Sequence, residues 1–363
     1  MHKLPRRLFR RYRYMALMSH SRSKSVEYWL LFMMFLVAAI IVIGGATRLT
    51  NSGLSITEWA PIRGALPPLS NEAWLAEFEK YKLIPEFEAE HPDMDLAGFK
   101  FIYFWEWGHR QLGRFIGLAY VLPLVWFGFR KKLPSGKAAL FLIPAVLIGL
   151  QGAIGWWMVH SGLQEGMVNV SQYRLAAHLG MAFIILGGLY WLFKSTRNDF
   201  APKPMGAVMT KRIAVLAGLV YIQIIAGAFV AGTKSGLSYN TWPLMDGDFF
   251  PAGYFIQNPL WRNIFENTPA IQFNHRMLAY IILALGIWIW IKARKSAHMR
   301  GVTSMFMIIL LWQVVLGIWT LLTGVQNDLF HIKLALIHQF SSIFVFLVAL
   351  ALVWKSRHYN AVK

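Results

Sequence analysis

The chain has 363 residues, of which 56% are hydrophobic and only 15% are charged, and its mean hydropathy is +0.45. These values exclude an ordinary soluble globular protein and indicate an integral membrane protein. The chain contains no cysteine, which excludes thiol catalysis, thiolate metal sites and disulfide bonds. Its net charge of +19 also raises the question of a nucleic-acid partner.

Eight apolar segments are each about 18–23 residues long, enough to cross a hydrocarbon core of about 30 Å. Because the backbone has no water partner in lipid, each segment is predicted to be a helix. The segments cover residues 28–46, 108–129, 138–158, 175–193, 213–231, 274–291, 305–322 and 332–354. The predicted fold is an all-α integral membrane protein with eight transmembrane helices.

The charged residues sort by membrane side. If the N-terminus is cytoplasmic, the segments on that side hold 24 of the 36 lysine and arginine residues but only two acids, Glu27 and Asp199. This positive-inside pattern places both termini in the cytoplasm, and we expect no nucleic-acid partner. The basic start resembles a signal peptide, but no small-residue cleavage site follows, so the first apolar segment is retained as a membrane helix.

The second half of the chain repeats landmarks of the first. Ser-Gly-Leu-Ser at 52–55 and the tryptophan at 59 recur 183 residues later, at 235–238 and 242. Gln151, Gly155, Trp157 and Gly162 are matched by Gln313, Gly317, Trp319 and Gly324. An even number of helices per copy makes the copies parallel. We therefore interpret the chain as two tandem-duplicated four-helix bundles.

The repeat divides the chain into segments. A basic cytoplasmic N-terminus (1–27) precedes an N-terminal bundle (28–193), which contains a long outer loop (47–107). A cytoplasmic linker (194–212) leads to the C-terminal bundle (213–354) and a cytoplasmic tail (355–363). Within the long loop, residues 71–90 mix apolar and charged side chains and are predicted to form a short helix on the membrane surface.

Four of the eleven histidines occupy matching positions near the outer face. His109 and His275 lie on the second helix of each half, and His178 and His338 lie on the fourth. A histidine pair across a bundle can ligate haem iron from both sides, and we favour this over hydrogen-bonded packing. His160 and His331 lie at outer helix ends and are interpreted as interfacial polar residues. The other five histidines are terminal or in loops.

Cationic side chains accompany both histidine pairs. They are candidate partners for haem propionates, although snorkelling to lipid phosphate explains them equally well. These residues are Arg110, Arg114, Arg174, Arg276 and Lys333.

Glu106 precedes His109 by three residues, so the two side chains share one helix face. The matching residue of the second half is Gln272. The alternative is that Glu106 is simply an acid near a helix start that complements the helix dipole. Because the second half lacks the charge, we favour a functional role for Glu106.

Several motifs, in order along nearly the whole chain, resemble the haem A synthase family, and most closely its proteobacterial and mitochondrial branch. They are Gly-Gly-Ala-Thr-Arg at 44–48, Ser-Gly-Leu-Ser-Ile-Thr-Glu-Trp at 52–59, Glu-Trp-Gly-His-Arg at 106–110, Leu-Ala-Ala-His at 175–178, Thr-Trp-Pro-Leu-Met at 241–245, Asn-Ile-Phe-Glu-Asn at 263–267, Gln-Phe-Asn-His-Arg at 272–276 and the helix of His338.

The resemblance implies a reaction that oxidises one methyl group of haem O to a formyl group through successive hydroxylations, giving haem A for cytochrome oxidase. It implies a resident haem b held by His275 and His338, a substrate haem flanked by His109 and His178, and Glu106 as the acid needed for chemistry. It also implies a bacterial inner membrane, with haem O synthase and a redox partner as candidate protein partners. Some members carry a cysteine pair in the outer loops, which this chain lacks.

Two other functions remain open from the residues alone. A di-haem b-type electron-transfer cytochrome also uses histidine pairs in a membrane bundle, but gives no reason for Glu106 in only one half. A transporter also has internal repeats, but more often shows broken helices and charges at the membrane centre. Here the polar groups cluster at one face, and Pro123 and Pro144 are the only breakers inside the helices.

Overall fold

A computed structural model describes residues 23–60, 63–134, 136–197, 205–324 and 328–357. Residues 1–22, 198–204 and 358–363 lie outside the described residues, so the predicted N-terminus, linker and tail are covered only in part.

Eight of the described helices are long and apolar enough to cross a membrane. The first half contains α1 (Lys24–Leu49), the short α2 (Asn71–Lys82) and α3 (Pro85–Glu90), then α4 (Leu96–Phe129), α5 (Leu142–Gly162) and α6 (Gln172–Thr196). The second half contains α7 (Ala207–Gly232), the short α8 (Asn263–Glu266), α9 (Thr268–Ala293), α10 (Ala297–Leu322) and α11 (Leu329–Arg357). The prediction of an all-α, multi-pass membrane protein is confirmed.

The long helices pack as two bundles with the same order of contacts. In the first half α1 packs against α4 and α6, and α5 completes the ring between them. In the second half α7 packs against α9 and α11, with α10 between. Both bundles have the ring expected of a four-helix unit. The duplication and the exact bundle boundaries stay predictions.

The two bundles meet along α6 and α11. Helix α6 packs against α7, and α11 packs against α1, so each bundle presents its fourth helix to the first helix of the other. Phe183 and Phe346 meet edge to face with ring centroids 5.3 Å apart. Trp191 and Trp354 meet in the same way at 4.9 Å. Such aromatic pairs add to the stabilisation that burial provides.

The long outer loop folds as a cap on the first bundle. The predicted helix at 71–90 is interrupted before Pro85, because a proline disfavours helical geometry in the residue that precedes it. Helix α4 also begins twelve residues earlier than the apolar segment predicted at 108. The reason is a hydrophobic cluster through which the cap packs on this extension. It is formed by Trp74, Phe78, Tyr81, Phe99, Ile102 and Tyr103. Contact of the cap with the membrane surface stays a prediction.

One carboxylate of the cap binds both halves. Asn51 and Lys234 lie 183 residues apart, just after α1 and α7, and both have positive φ (47° and 53°). Nδ2 of Asn51 donates to Oε2 of Glu90 at 3.0 Å, and Nζ of Lys234 donates to Oε1 at 2.6 Å. Nearby, Arg48 donates to the carbonyl of Ala231 at 3.2 Å. The C-terminal ends of α1 and α7 are therefore tied together.

Candidate functional site

The structure brings the four symmetric histidines together as two pairs within their bundles. The rings of His109 and His178 have centroids 6.5 Å apart and an interplanar angle of 44°. Two imidazoles bound to one metal, each through a bond of about 2 Å, have centroids about 6 Å apart. His275 and His338 occupy the corresponding helices of the second bundle, α9 and α11. The ring separation of the first pair is thus close to that of two imidazoles bound to one metal.

A glycine on the preceding long helix contacts each of these histidines. A Cβ added to Gly44 would lie 2.7 Å from Cε1 of His109, and one added to Gly155 would lie 2.9 Å from Cε1 of His178. These separations are too short for a real side chain, so each ring fills the space that glycine leaves. The same contact in the second half joins Gly227 to His275 (3.3 Å) and Gly317 to His338 (2.9 Å).

A glutamine one turn from the glycine accompanies three of the histidines. Nε2 of Gln151 donates to the backbone carbonyl of His178 at 3.0 Å and lies 3.2 Å from Nδ1 of its ring. The corresponding distances are 3.0 and 3.2 Å for Gln223 with His275, and 3.1 and 3.2 Å for Gln313 with His338. Each amide nitrogen also lies 3.2–3.4 Å from Nε2 of the same ring, so it packs against the imidazole and restricts its rotation. The sequence showed Gln151 and Gln313 only as repeat landmarks, and Gln223 was missed.

Each of these glutamines also has a buried oxygen, Oε1, without a hydrogen-bond partner among the described residues. The Nδ1 atom of His109 is likewise buried and has no hydrogen-bond partner among the described residues. Buried polar atoms are rarely left unpaired in native proteins. Unpaired atoms beside all four histidines are consistent with a region that a ligand completes.

Glu106 is 3% exposed and anchors the repeated Ser-Gly-Leu-Ser loop to α4. Its Oε2 accepts hydrogen bonds from Oγ of Ser55 at 2.7 Å and from the backbone N–H of Ile56 at 2.8 Å. Its Oε1 accepts from Nε of Arg110 at 3.1 Å and from Nη2 at 2.6 Å. A buried carboxylate with four donors is held in one orientation. The matching Gln272 instead donates to the carbonyl of Tyr239 at 3.1 Å.

The two matching arginines bind the same loop in each half. Nη2 of Arg110 donates to the carbonyl of Ile56 at 3.0 Å, and Nη2 of Arg276 donates to the carbonyl of Tyr239 at 2.8 Å. Arginine therefore joins the second long helix of each half to the loop that follows the first. A role toward propionates stays a prediction for both.

The other three predicted cations do not make this loop contact. Arg114 donates to the carbonyl of Ala60 at 3.3 Å. Arg174 donates to the carbonyl of Trp157 at 2.7 Å and lies over its ring at 4.5 Å. Lys333 is exposed. His160 and His331, at outer helix ends, contact Gln164 and the carbonyl of Thr320 rather than the paired histidines.

A buried acid in the cap was missed from the sequence. Glu86, on α3, is 4% exposed, and Oη of Tyr81 donates to it at 3.4 Å. Tyr81 also lies 2.7 Å from Nδ1 of His91. Burial, and next the nearby Glu106 carboxylate, raise the pKa of Glu86 to about 8.

Comparisons with known proteins agree with this arrangement. The family model described as cytochrome oxidase assembly protein matches residues 27–350. The chain is 44% identical over 341 residues to the heme A synthase of Dinoroseobacter shibae, covering 92% of this chain and 88% of the relative. It is 46% identical over 349 residues to that of Maricaulis maris (93% and 98%) and 43% identical over 342 residues to that of Paracoccus denitrificans (92% and 87%). The chain therefore belongs to the cytochrome oxidase assembly protein family.

Proposed function

We propose that the protein is a haem A synthase, an oxidoreductase that converts haem O to haem A by oxidising one methyl group to a formyl group through successive hydroxylations. Relatives that bear this name are 42–46% identical over most of the chain. The observation that carries the proposal within the structure is the pair His109 and His178, with ring centroids 6.5 Å apart in a glycine-lined space. This pair would bind the substrate iron from both sides.

The second pair would hold a resident haem b. His275 and His338 are each backed by a glycine and a glutamine, and the buried Oε1 atoms beside them fit a site completed by a bound group. When bound, the haem supplies one-electron redox chemistry to the protein. Arg276 and Lys333 are the candidate propionate partners in this half, and Arg110, Arg114 and Arg174 in the other.

Glu106 is the candidate catalytic group of the first half. Its carboxylate lies one helical turn before His109 and is locked by Ser55, Ile56 and Arg110. Oxidation at the porphyrin edge removes electrons and protons from a poorly activated carbon. A fixed carboxylate can stabilise the developing positive charge or accept a proton there.

The alternatives give a poorer account of these features. A di-haem electron-transfer cytochrome has no use for a locked carboxylate at one site and a glutamine at the other. A transporter commonly has interrupted helices at its binding site. All eight long helices of the described residues are continuous, including α4 through Pro123 and α5 through Pro144.

The proposed setting is a bacterial inner membrane with both termini in the cytoplasm and both haem sites near the outer face. The positive-inside charge distribution supports this orientation. Haem O synthase and a redox partner are the proposed protein partners, because the substrate must be delivered and its electrons removed.

The test is production of the protein in cells that make haem O but no haem A, followed by chromatography of the extracted haems. We expect haem A to appear only when the protein is present. His275→Ala and His338→Ala should lose the resident haem, measured by absorption spectra of the purified protein. His109→Ala and His178→Ala should keep that haem and lose conversion. Bound haem in the wild type without conversion of haem O would instead support the electron-transfer cytochrome.

A further inference from the structure

The four histidine sites follow one register, and one of them departs from it. A glutamine lies four residues before the contact glycine on α5 (Gln151, Gly155), on α7 (Gln223, Gly227) and on α10 (Gln313, Gly317). On α1 the contact glycine is Gly44, and the residue four before it is Ile40. The first helix therefore supplies His109 with the glycine but not with the glutamine.

The difference changes what surrounds the ring. At the other three sites the amide nitrogen of glutamine lies 3.2 Å from a ring nitrogen and donates to the backbone carbonyl of the same histidine. Ile40 can do neither, because its side chain is a hydrocarbon. It faces α4 close to His109, since a Cβ added to Gly113, one turn later, would lie 3.7 Å from Cδ1 of Ile40. Nδ1 of His109 is buried and has no hydrogen-bond partner among the described residues.

Side chains that contact a ligand histidine hold its ring in the binding orientation, and loss of such supporting contacts typically lowers metal affinity about 10–100-fold. The ring of His109 can rotate about its side-chain bonds without breaking a hydrogen bond. The ring of His178, across the same site, cannot leave its position without losing its contact with Gln151. One imidazole of the first pair is thus held by a glutamine as well as by packing, and the other is held by packing alone.

We propose that His109 is the releasable axial ligand of the substrate haem, that His178 is its permanent ligand, and that Gln151, Gln223 and Gln313 are positioning residues that keep the other three imidazoles in place. This inference rests on the proposed function. A substrate haem must enter and its product must leave, whereas a resident haem stays. One fixed and one releasable ligand suit the first task, and two fixed ligands suit the second.

Carbon monoxide provides the test, because it binds reduced haem iron only where an axial ligand can be displaced. The full-length protein, purified with both haems bound, would be reduced and titrated with carbon monoxide while absorption spectra are recorded. We expect one of the two haems to react in the wild type. In Ile40→Gln the reactive fraction or its rate should fall about 10-fold or more, whereas Ile40→Leu, a volume-matched control, should leave it unchanged.

The second half offers the converse variant and a safeguard against misfolding of Ile40→Gln. Gln223→Ile reproduces the α1 arrangement beside His275 and should make the resident haem reactive toward carbon monoxide, with haem content measured separately. Equal reactivity of both haems in the wild type, or unchanged spectra in both Ile40→Gln and Gln223→Ile, would overturn the inference. Because no turnover is measured, absence of haem A formation would count against the proposed function and leave this result intact.

Discussion

Glu106 and Arg110, one helical turn apart on α4, form a buried ion pair in which two guanidinium nitrogens donate to one carboxylate oxygen at 3.1 and 2.6 Å. The second half has Gln272 and Arg276 at the same spacing, and that arginine binds its loop without an acid beside it. An amide at this position is therefore compatible with the fold. The charge of Glu106 therefore distinguishes this position of the first half from its counterpart in the second.

Replacement of Glu106 by glutamine separates the chemical role of the charge from its structural role. We expect Glu106→Gln to keep the resident haem and to lose conversion of haem O, by about 10²–10⁴-fold if the carboxylate acts as an acid or base. The matched control is Gln272→Glu, which adds a charge at the equivalent position and should leave conversion intact. Chromatography of extracted haems, with haem content as reference, measures both. Wild-type amounts of haem A in Glu106→Gln would leave this residue as a loop anchor only.

The contact glycines give a steric prediction. Gly317→Ala places a Cβ 2.9 Å from Cε1 of His338 and should displace that ring, which lowers the retention of resident haem. Gly301→Ala, on the same helix, meets no atom within 4 Å and is the control. In the first half Gly155→Ala should impair conversion but not resident haem, with Gly152→Ala as control. Equal haem content in Gly317→Ala and Gly301→Ala would show that the His338 ring accommodates the added methyl group, which would contradict the prediction.

The buried acid Glu86 predicts a pH dependence of stability. Its pKa rises from an ordinary value of 4.5 to about 8 in the folded protein, so the folded state holds a proton that the unfolded state releases. Between those values stability falls as pH rises, by about 1.4 kcal/mol per pH unit. We expect the denaturation temperature in detergent to fall from pH 5 to pH 8, and to fall less in Glu86→Gln.

Glu88→Gln is the control for that experiment, because Glu88 lies on the same short helix and is exposed. It should follow the wild-type pH profile. A Glu86→Gln protein whose profile also matches the wild type would contradict the protonation of Glu86 near neutral pH.

The orientation of the chain gives a fourth prediction. The basic residues concentrate on the side that holds both termini, and the cap lies on the opposite side. A reporter fused to the C-terminus should therefore be cytoplasmic, and one inserted near Asp93 should be external. The reverse pattern would place both histidine pairs at the cytoplasmic face.

Much of the fold could be predicted from hydropathy, and the features that hydropathy missed have physical explanations. All eight membrane segments were found, since apolar length is what lipid selects. The outer extension of α4 was missed because Lys100 and Glu106 lower its hydropathy, while Phe99, Ile102 and Tyr103 bury themselves against the cap. Hydropathy reports the preference of a segment for lipid and does not report packing against another part of the same protein.

The candidate site shows the same division. The four histidines were evident because they recur in matching places and are costly within apolar helices. The glutamines carried a weaker signal, since a glutamine in an apolar helix needs a partner that only the fold reveals. Glu86 carried none, because it stands among other acids in a polar loop and its burial depends on how α3 folds against α2, near Arg48.

The bridge that Glu90 forms between Asn51 and Lys234 bears on how two similar halves make one protein. A symmetric dimer of second halves would bring two copies of Lys234 to the junction, with no carboxylate to separate them. A dimer of first halves would bring two copies of Glu90 to it and no lysine. In the mixed pair the Glu90 carboxylate accepts from Asn51 of the first half and from Lys234 of the second. The cap therefore makes the first half complementary in charge to the second half.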